Sequence, residues 1–169
     1  WTKATAHARA QILYYLAENL AVRESEFTVR LCALCACAPG EADREVAAAI
    51  QRAFAYAAWA DKYDGRVHAT PYRNVTLAMN EPIGVLGLVA PTEAPLLGFL
   101  SLVLPTVAMG NTVVAVPSER WPLLATDLYQ VFDTSDVPGG VINIVTGPRK
   151  DLAPVLAAHD DVDGIWFYG

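Results

Sequence analysis

Residues 81–119, EPIGVLGLVAPTEAPLLGFLSLVLPTVAMGNTVVAVPSE, read as one β-α-β unit, and that reading decides the fold. Ile83 to Ala90 is apolar, rich in Val, Leu and Gly and bounded by Pro82 and Pro91, which suits a strand buried on both faces of a parallel sheet. Ala94 to Ala108 is apolar almost all round, as a helix packed between a sheet and other elements must be. Gly110-Asn111 supplies a helix stop, and Thr112 to Val116 is a second, β-branched strand. Such crossovers are right-handed in nearly all cases and bring the strand C-termini to one crevice, the usual seat of a nucleotide.

Working outward, Pro122 to Phe132 predicts the next crossover helix and Asp133 to Gly140 its loop. Val141 to Val145 follows as a third parallel strand, Lys150 to Ala158 as a short helix and Gly164 to Tyr168 as a fourth strand. The cluster Asp160, Asp161 and Asp163 reads as a solvated turn. Upstream, Ile12, Leu13, Leu16 and Leu20 mark one face of a helix within Thr2–Val22. A second helix spans about Glu24 to Cys37, ending before Pro39-Gly40, and a third begins near Glu41 and stops at Gly65. Arg66 to Asn80 alternates as an extended ribbon, broken at Pro71.

The motifs in this frame resemble those of the aldehyde dehydrogenase superfamily, where E-P-x-G-V, P-W-N-F-P, G-N-T-V-V and K-P-x-E occur in this order. They stand here as Glu81-Pro82-Ile83-Gly84-Val85, Pro91-Thr92-Glu93-Ala94-Pro95, Gly110-Asn111-Thr112-Val113-Val114 and Val116-Pro117-Ser118-Glu119. Val137 to Gly147 is similar to the family's P-P-G-V-x-N-x-V-x-G, His159 to Gly169 to its H-P-x-x-x-x-I-x-F-T-G, and Ala55 to Gly65 to its A-x-x-A-D-K-x-x-G. The likeness covers nearly the whole chain and is weakest over the first forty residues.

The resemblance implies an α/β fold, with an N-terminal helical layer (residues 1–65), an extended ribbon (66–82) that contributes to subunit contact, and a Rossmann-like, mostly parallel sheet with crossover helices (83–169). It implies NAD as the parent's cofactor, with Ala90, Pro91, Thr92, Pro117, Ser118, Glu119 and Gly147 as the cofactor-facing positions. It also shows what has changed. The family's Asn in P-W-N-F-P donates to the oxyanion formed when a catalytic Cys attacks the aldehyde, and one such donor contributes roughly 3 to 4 kcal/mol. Glu93 stands there, and an ionised carboxylate offers acceptors only. The family's ribose-binding Lys is replaced by Val116, and losing one charged hydrogen bond costs about 1.5 to 3 kcal/mol. Glu119 is kept, where the family's carboxylate also reaches the ribose; its other reading is a solvated carboxylate at a helix entry. In the family the Cys nucleophile lies in a separate catalytic domain beyond this stretch and the general-base Glu also lies outside it, so no catalytic residue is assigned.

Arg149, after Gly147-Pro148, is a candidate phosphate contact or a solvent-facing helix start. Cys32, Cys35 and Cys37 form C-x-x-C-x-C without a fourth Cys or a nearby His, and read as reduced, partly buried thiols with no metal. Twelve basic and eighteen acidic residues among 169 give a net charge of −6, which argues against nucleic acid and anionic membranes as partners. The 54% hydrophobic content fits a domain completed by the rest of a parent dehydrogenase or by a further subunit. Prolines and Glu93 interrupt the apolar runs before any reaches the roughly twenty residues that span a bilayer. With no signal-like start, the expectation is a piece of a cytoplasmic, homo-oligomeric enzyme.

Three readings follow from these residues. The first is a degenerate, non-catalytic repeat with a structural role for an NAD-dependent aldehyde oxidoreductase, most like the second copy in the two-repeat, family-16 branch. The second is an active NAD(P)-dependent enzyme with an atypical oxyanion site. The third is an interaction module.

Overall fold

The computed structural model describes residues 1–168; Gly169, the last residue of the predicted strand-end motif, lies outside the described residues. Three helices come first: α1 (Ala6–Val22), α2 (Glu24–Cys35) and α3 (Pro39–Ala60). Thr5 caps α1, its hydroxyl accepting from the Ala8 N–H at 3.1 Å. The second helix stops two residues earlier than its pattern suggests, because Ala36 turns left-handed (φ 54°). Pro39-Gly40, read as a break, are instead the first residues of α3. Pro39 occupies the first helical position, where its missing N–H costs nothing. Glu41 reaches back to the Ala38 N–H at 3.3 Å, the half of a capping box that an Ala cap permits.

The ribbon is a hairpin of β1 (Arg66–His68) and β2 (Thr76–Ala78), antiparallel with Val67 opposite Leu77. It forms a sheet of its own and leaves Val67, Tyr72, Leu77 and Met79 exposed.

The main sheet follows: β3 (Val85–Val89), α4 (Pro95–Ala108), β4 (Thr112–Val116), α5 (Leu123–Thr134), β5 (Ile142–Ile144), α6 (Arg149–Ala158) and β6 (Gly164–Phe167). All its pairings are parallel, in the order β5-β4-β3-β6. The chain winds outward from β3 through β4 to β5, then α6 carries it back past β3 to β6. The topological switch point therefore lies between β3 and β6, where open α/β sheets present their ligand crevice.

β3 starts at Val85, two residues later than its apolar run, because the buried side chain of Asn111 takes the backbone there. Its Oδ1 accepts from the N–H groups of Ile83 (2.6 Å) and Gly84 (3.0 Å), and its Nδ2 donates to the Thr106 carbonyl at 3.1 Å. Asp163, expected to be merely solvated, accepts from the Val85 N–H at 2.8 Å. Gly84 must be glycine: its φ is +135°, and a Cβ would lie 2.0 Å from Asp163 Oδ2.

One sheet face, with Leu88, Val113 and Ala115, joins the core of α1, α3, α4 and α5. α4 lies at its centre and is pinned at both ends. Glu45 of α3 accepts from the N–H groups of Leu96 (2.9 Å) and Leu97 (3.1 Å). At the other end Trp1 Nε1 donates to the Val107 carbonyl (2.8 Å) and Arg9 Nε to that of Ala108 (3.0 Å). Negative charge at the N-terminus and positive charge at the C-terminus suit the helix dipole. The opposite sheet face is covered by α6, whose Leu156 packs over Gly87: a Cβ there would lie 3.4 Å from Leu156 Cβ. None of the α6 residues is buried.

Candidate functional site

The predicted site residues gather at the C-terminal ends of β3, β4 and β5, but most of their polar atoms are already bonded within the chain. Ala90 is buried, and its N–H donates to the Val116 carbonyl at 2.9 Å, extending the ladder. Pro91 packs against the first turn of α4: a Cβ at Gly98 would lie 2.4 Å from Pro91 Cγ, so only glycine permits the approach. Pro117 is buried. Ser118 is fully buried, its hydroxyl donating to the Thr92 carbonyl (3.1 Å) and accepting from the Trp121 N–H (3.2 Å). That hydroxyl ties the end of β4 to the turn after β3. Gly147 brings the backbone against α6, where a Cβ would come within 3.1 Å of Leu152 Cδ1.

Val116 is fully buried, on the sheet face that α6 covers, and gives that face an apolar side chain. Glu119 is exposed, and one carboxylate oxygen accepts from the Arg149 N–H at 3.1 Å. Arg149 is the first residue of α6, so Glu119 caps that helix with the favourable sign of charge.

The Arg149 side chain is half-buried and folds back across the crevice, unlike the solvent-facing helix start considered from sequence. Its Nη1 donates to Thr92 Oγ1 at 3.3 Å, its Nη2 donates to the Tyr168 carbonyl, and its guanidinium carbon sits 5.3 Å from the Phe167 ring centroid. One cation thus spans the ends of β3 and β6.

Glu93 is exposed on the turn before α4 and lines a cleft of about 410 Å³ with Arg52, Leu97, Ser101 and Tyr168. Arg52 reaches across α4, donating to Ser101 Oγ at 3.0 Å. The cleft thus carries an acidic and a basic side chain over an apolar floor.

Glu45 is the residue that sequence reading missed. It lies about fifty positions from the amides it caps, and the only hint was Ala94, a residue without a side-chain acceptor, at the N-cap of α4.

The three cysteines are free and half-buried. Burial, followed by the neighbouring Cys37, pushes the Cys35 thiol up to about 11. Among the described residues no group of three His, Cys, Asp or Glu could hold a metal ion, and no helix is long and apolar enough to cross a membrane.

Residues 1–169 match the aldehyde dehydrogenase family. The chain is 35% identical over 170 residues to hydroxyisobutyraldehyde dehydrogenase of Mycolicibacterium austroafricanum, covering 100% of this chain and 34% of that protein. To cytosolic 10-formyltetrahydrofolate dehydrogenase of Mus musculus it is 33% identical over 174 residues, covering 100% of this chain and 19% of that protein. The chain therefore spans about a fifth to a third of the length of these relatives. In fold it superposes on betaine aldehyde dehydrogenase from Staphylococcus aureus, solved with NAD+, with a TM-score of 0.93 at 23% identity, covering 99% of this chain and 33% of that one. By this match over its whole length and by its parallel sheet, the chain belongs to the aldehyde dehydrogenase family.

Proposed function

We propose that this chain is a degenerate nucleotide-fold domain of a larger NAD-dependent aldehyde dehydrogenase, serving assembly and support instead of catalysis. The observation that carries the reading is Glu93. It stands, exposed, in the turn where the family resemblance calls for an amide donor to an oxyanion, and a carboxylate there repels the charge that the reaction develops. The buried Val116 supports the same reading, because it puts an apolar side chain where the family resemblance calls for a cation on the ribose. Ala90, Pro91, Thr92, Pro117, Ser118, Glu119 and Gly147 then form a vestigial cofactor surface.

The supporting role rests on apolar surface. Val67, Tyr72, Leu77 and Met79 of the hairpin are exposed, as are Trp166 and Phe167 on the edge strand β6. Surface of that kind is covered in an assembled enzyme, either by the rest of its own chain or by a second subunit. A homo-oligomeric, cytoplasmic parent fits this picture.

The test is NAD+-dependent hydrogen exchange on the full-length protein, which reads this crevice separately from any other nucleotide site. Residues 90–94 and 116–119 are expected to show no added protection at micromolar NAD+. Protection there would overturn the reading and favour an active site with an atypical oxyanion arrangement.

A further inference from the structure

We infer that the switch-point crevice is a guanidinium site filled by the chain's own Arg149, and that this internal occupant closes the crevice to a dinucleotide. The inference rests on the vestigial reading above and deepens it, by naming what holds the place of the cofactor.

The lining of the crevice is the first argument. Thr92 presents a hydroxyl, Tyr168 a backbone carbonyl and Phe167 the face of its ring. The neighbouring Glu119 adds a carboxylate that holds the α6 backbone from the β4 side. Hydroxyl and carbonyl oxygens, a π face and a carboxylate all favour a cation. A pyrophosphate needs the opposite: backbone N–H donors at a helix N-terminus. Two of the three helix N-termini at this edge have carboxylates on them, Glu45 on α4 and Glu119 on α6. The anion-binding capacity of those two helix ends, on either side of the crevice floor, is thus satisfied from within.

Shape is the second argument. The planar fork of Arg149 bonds two strand ends at once and lies over an aromatic ring, a geometry that a lysine ammonium cannot reproduce. Its position is also specific, because the ends of β3 and β6 flank the point where the winding of the sheet reverses. A ligand entering there must displace the guanidinium, and its apparent affinity falls by the fraction of time the site is open.

The experiment compares wild type with Arg149→Ala in the full-length protein, reading NAD+-dependent exchange protection at residues 90–94 and 116–119. The variant should gain protection at roughly ten-fold lower NAD+ than wild type, the reduction expected for an occupant present about nine-tenths of the time. Millimolar ethylguanidinium should refill the site and abolish the gain, whereas ethylammonium should not. Identical NAD+ dependence in the two proteins, or equal effects of the two cations, overturns the inference. Protection of wild type at micromolar NAD+ overturns instead the vestigial reading on which it rests. If the alanine variant does not fold, Arg149→Lys serves: it keeps the stem and the charge but loses the fork, and should shift the NAD+ dependence in the same direction by a smaller factor. No shift in the lysine variant counts against the inference.

Discussion

Asn111→Ala should cost about 2 to 3 kcal/mol and loosen the crevice from beneath. The side chain is buried and makes three hydrogen bonds, accepting from Ile83 and Gly84 and donating to Thr106. An intramolecular bond contributes about 1 kcal/mol net, and a donor left without a partner in the interior costs roughly 1 to 3 kcal/mol. The three losses are unequal. Thr106 keeps a second partner, since the Asn111 backbone N–H also donates to its carbonyl at 3.3 Å. Ile83 is 66% exposed, so water can reach its amide, whereas Gly84 is half-buried and its amide is left stranded. Amide exchange is the assay, because it reads opening free energies locally in β3 and β4. A loss of 2 to 3 kcal/mol corresponds to roughly 30- to 150-fold faster exchange. A change below about 1 kcal/mol, or an equal acceleration in α2, would refute the view that Asn111 sets the start of the central strand.

Other consequences can be checked in the same protein. The raised Cys35 thiol keeps its proton to higher pH in the fold than in the unfolded chain, so its stabilisation is complete below pH 9.0 and is lost as pH rises through about 11. Alkylation followed by mass spectrometry should find Cys35 slow under native conditions below that window and fast after denaturation. Gly98→Val would place a Cβ 2.4 Å from the stiff ring of Pro91 and should destabilise by roughly 1 to 3 kcal/mol, with exchange changes concentrated at Thr92 and Glu93. Arg30→Ala breaks a 2.7 Å pair with Asp127 between α2 and α5, but the side chains are 43% and 32% exposed. The loss should stay below about 1 kcal/mol and vanish in high salt, as denaturant melts at two ionic strengths would show.

The architecture was legible because its signals are local. The buried run Val85–Val89, the apolar helix and the β-branched Thr112–Val116 each carry their own periodicity, and the motifs that prompted the family resemblance are framework motifs. Gly84 and Asn111, which stand in those motifs, serve backbone geometry. Boundaries were less legible, since they depend on distant side chains: Asn111 delays β3 by two residues. That the candidate residues share one edge of the sheet was legible, and their bonding pattern was not. Nothing in the spacing of Glu45, Glu119 and Arg149 announces that two carboxylates cap the helices at the crevice or that a guanidinium crosses it.

The absence of any buried residue in α6 bears on motion. Opening free energies across a fold follow buried apolar contact, and α6 supplies only half-buried side chains, Leu152 and Leu156, to the sheet face it covers. What holds its N-terminus is a polar clasp, Glu119 on the first amide and Arg149 reaching back to Thr92 and Tyr168. An end fastened by charge can loosen while α1, α3 and α4 stay packed. Added salt, which leaves the core indifferent, acts directly on that hinge.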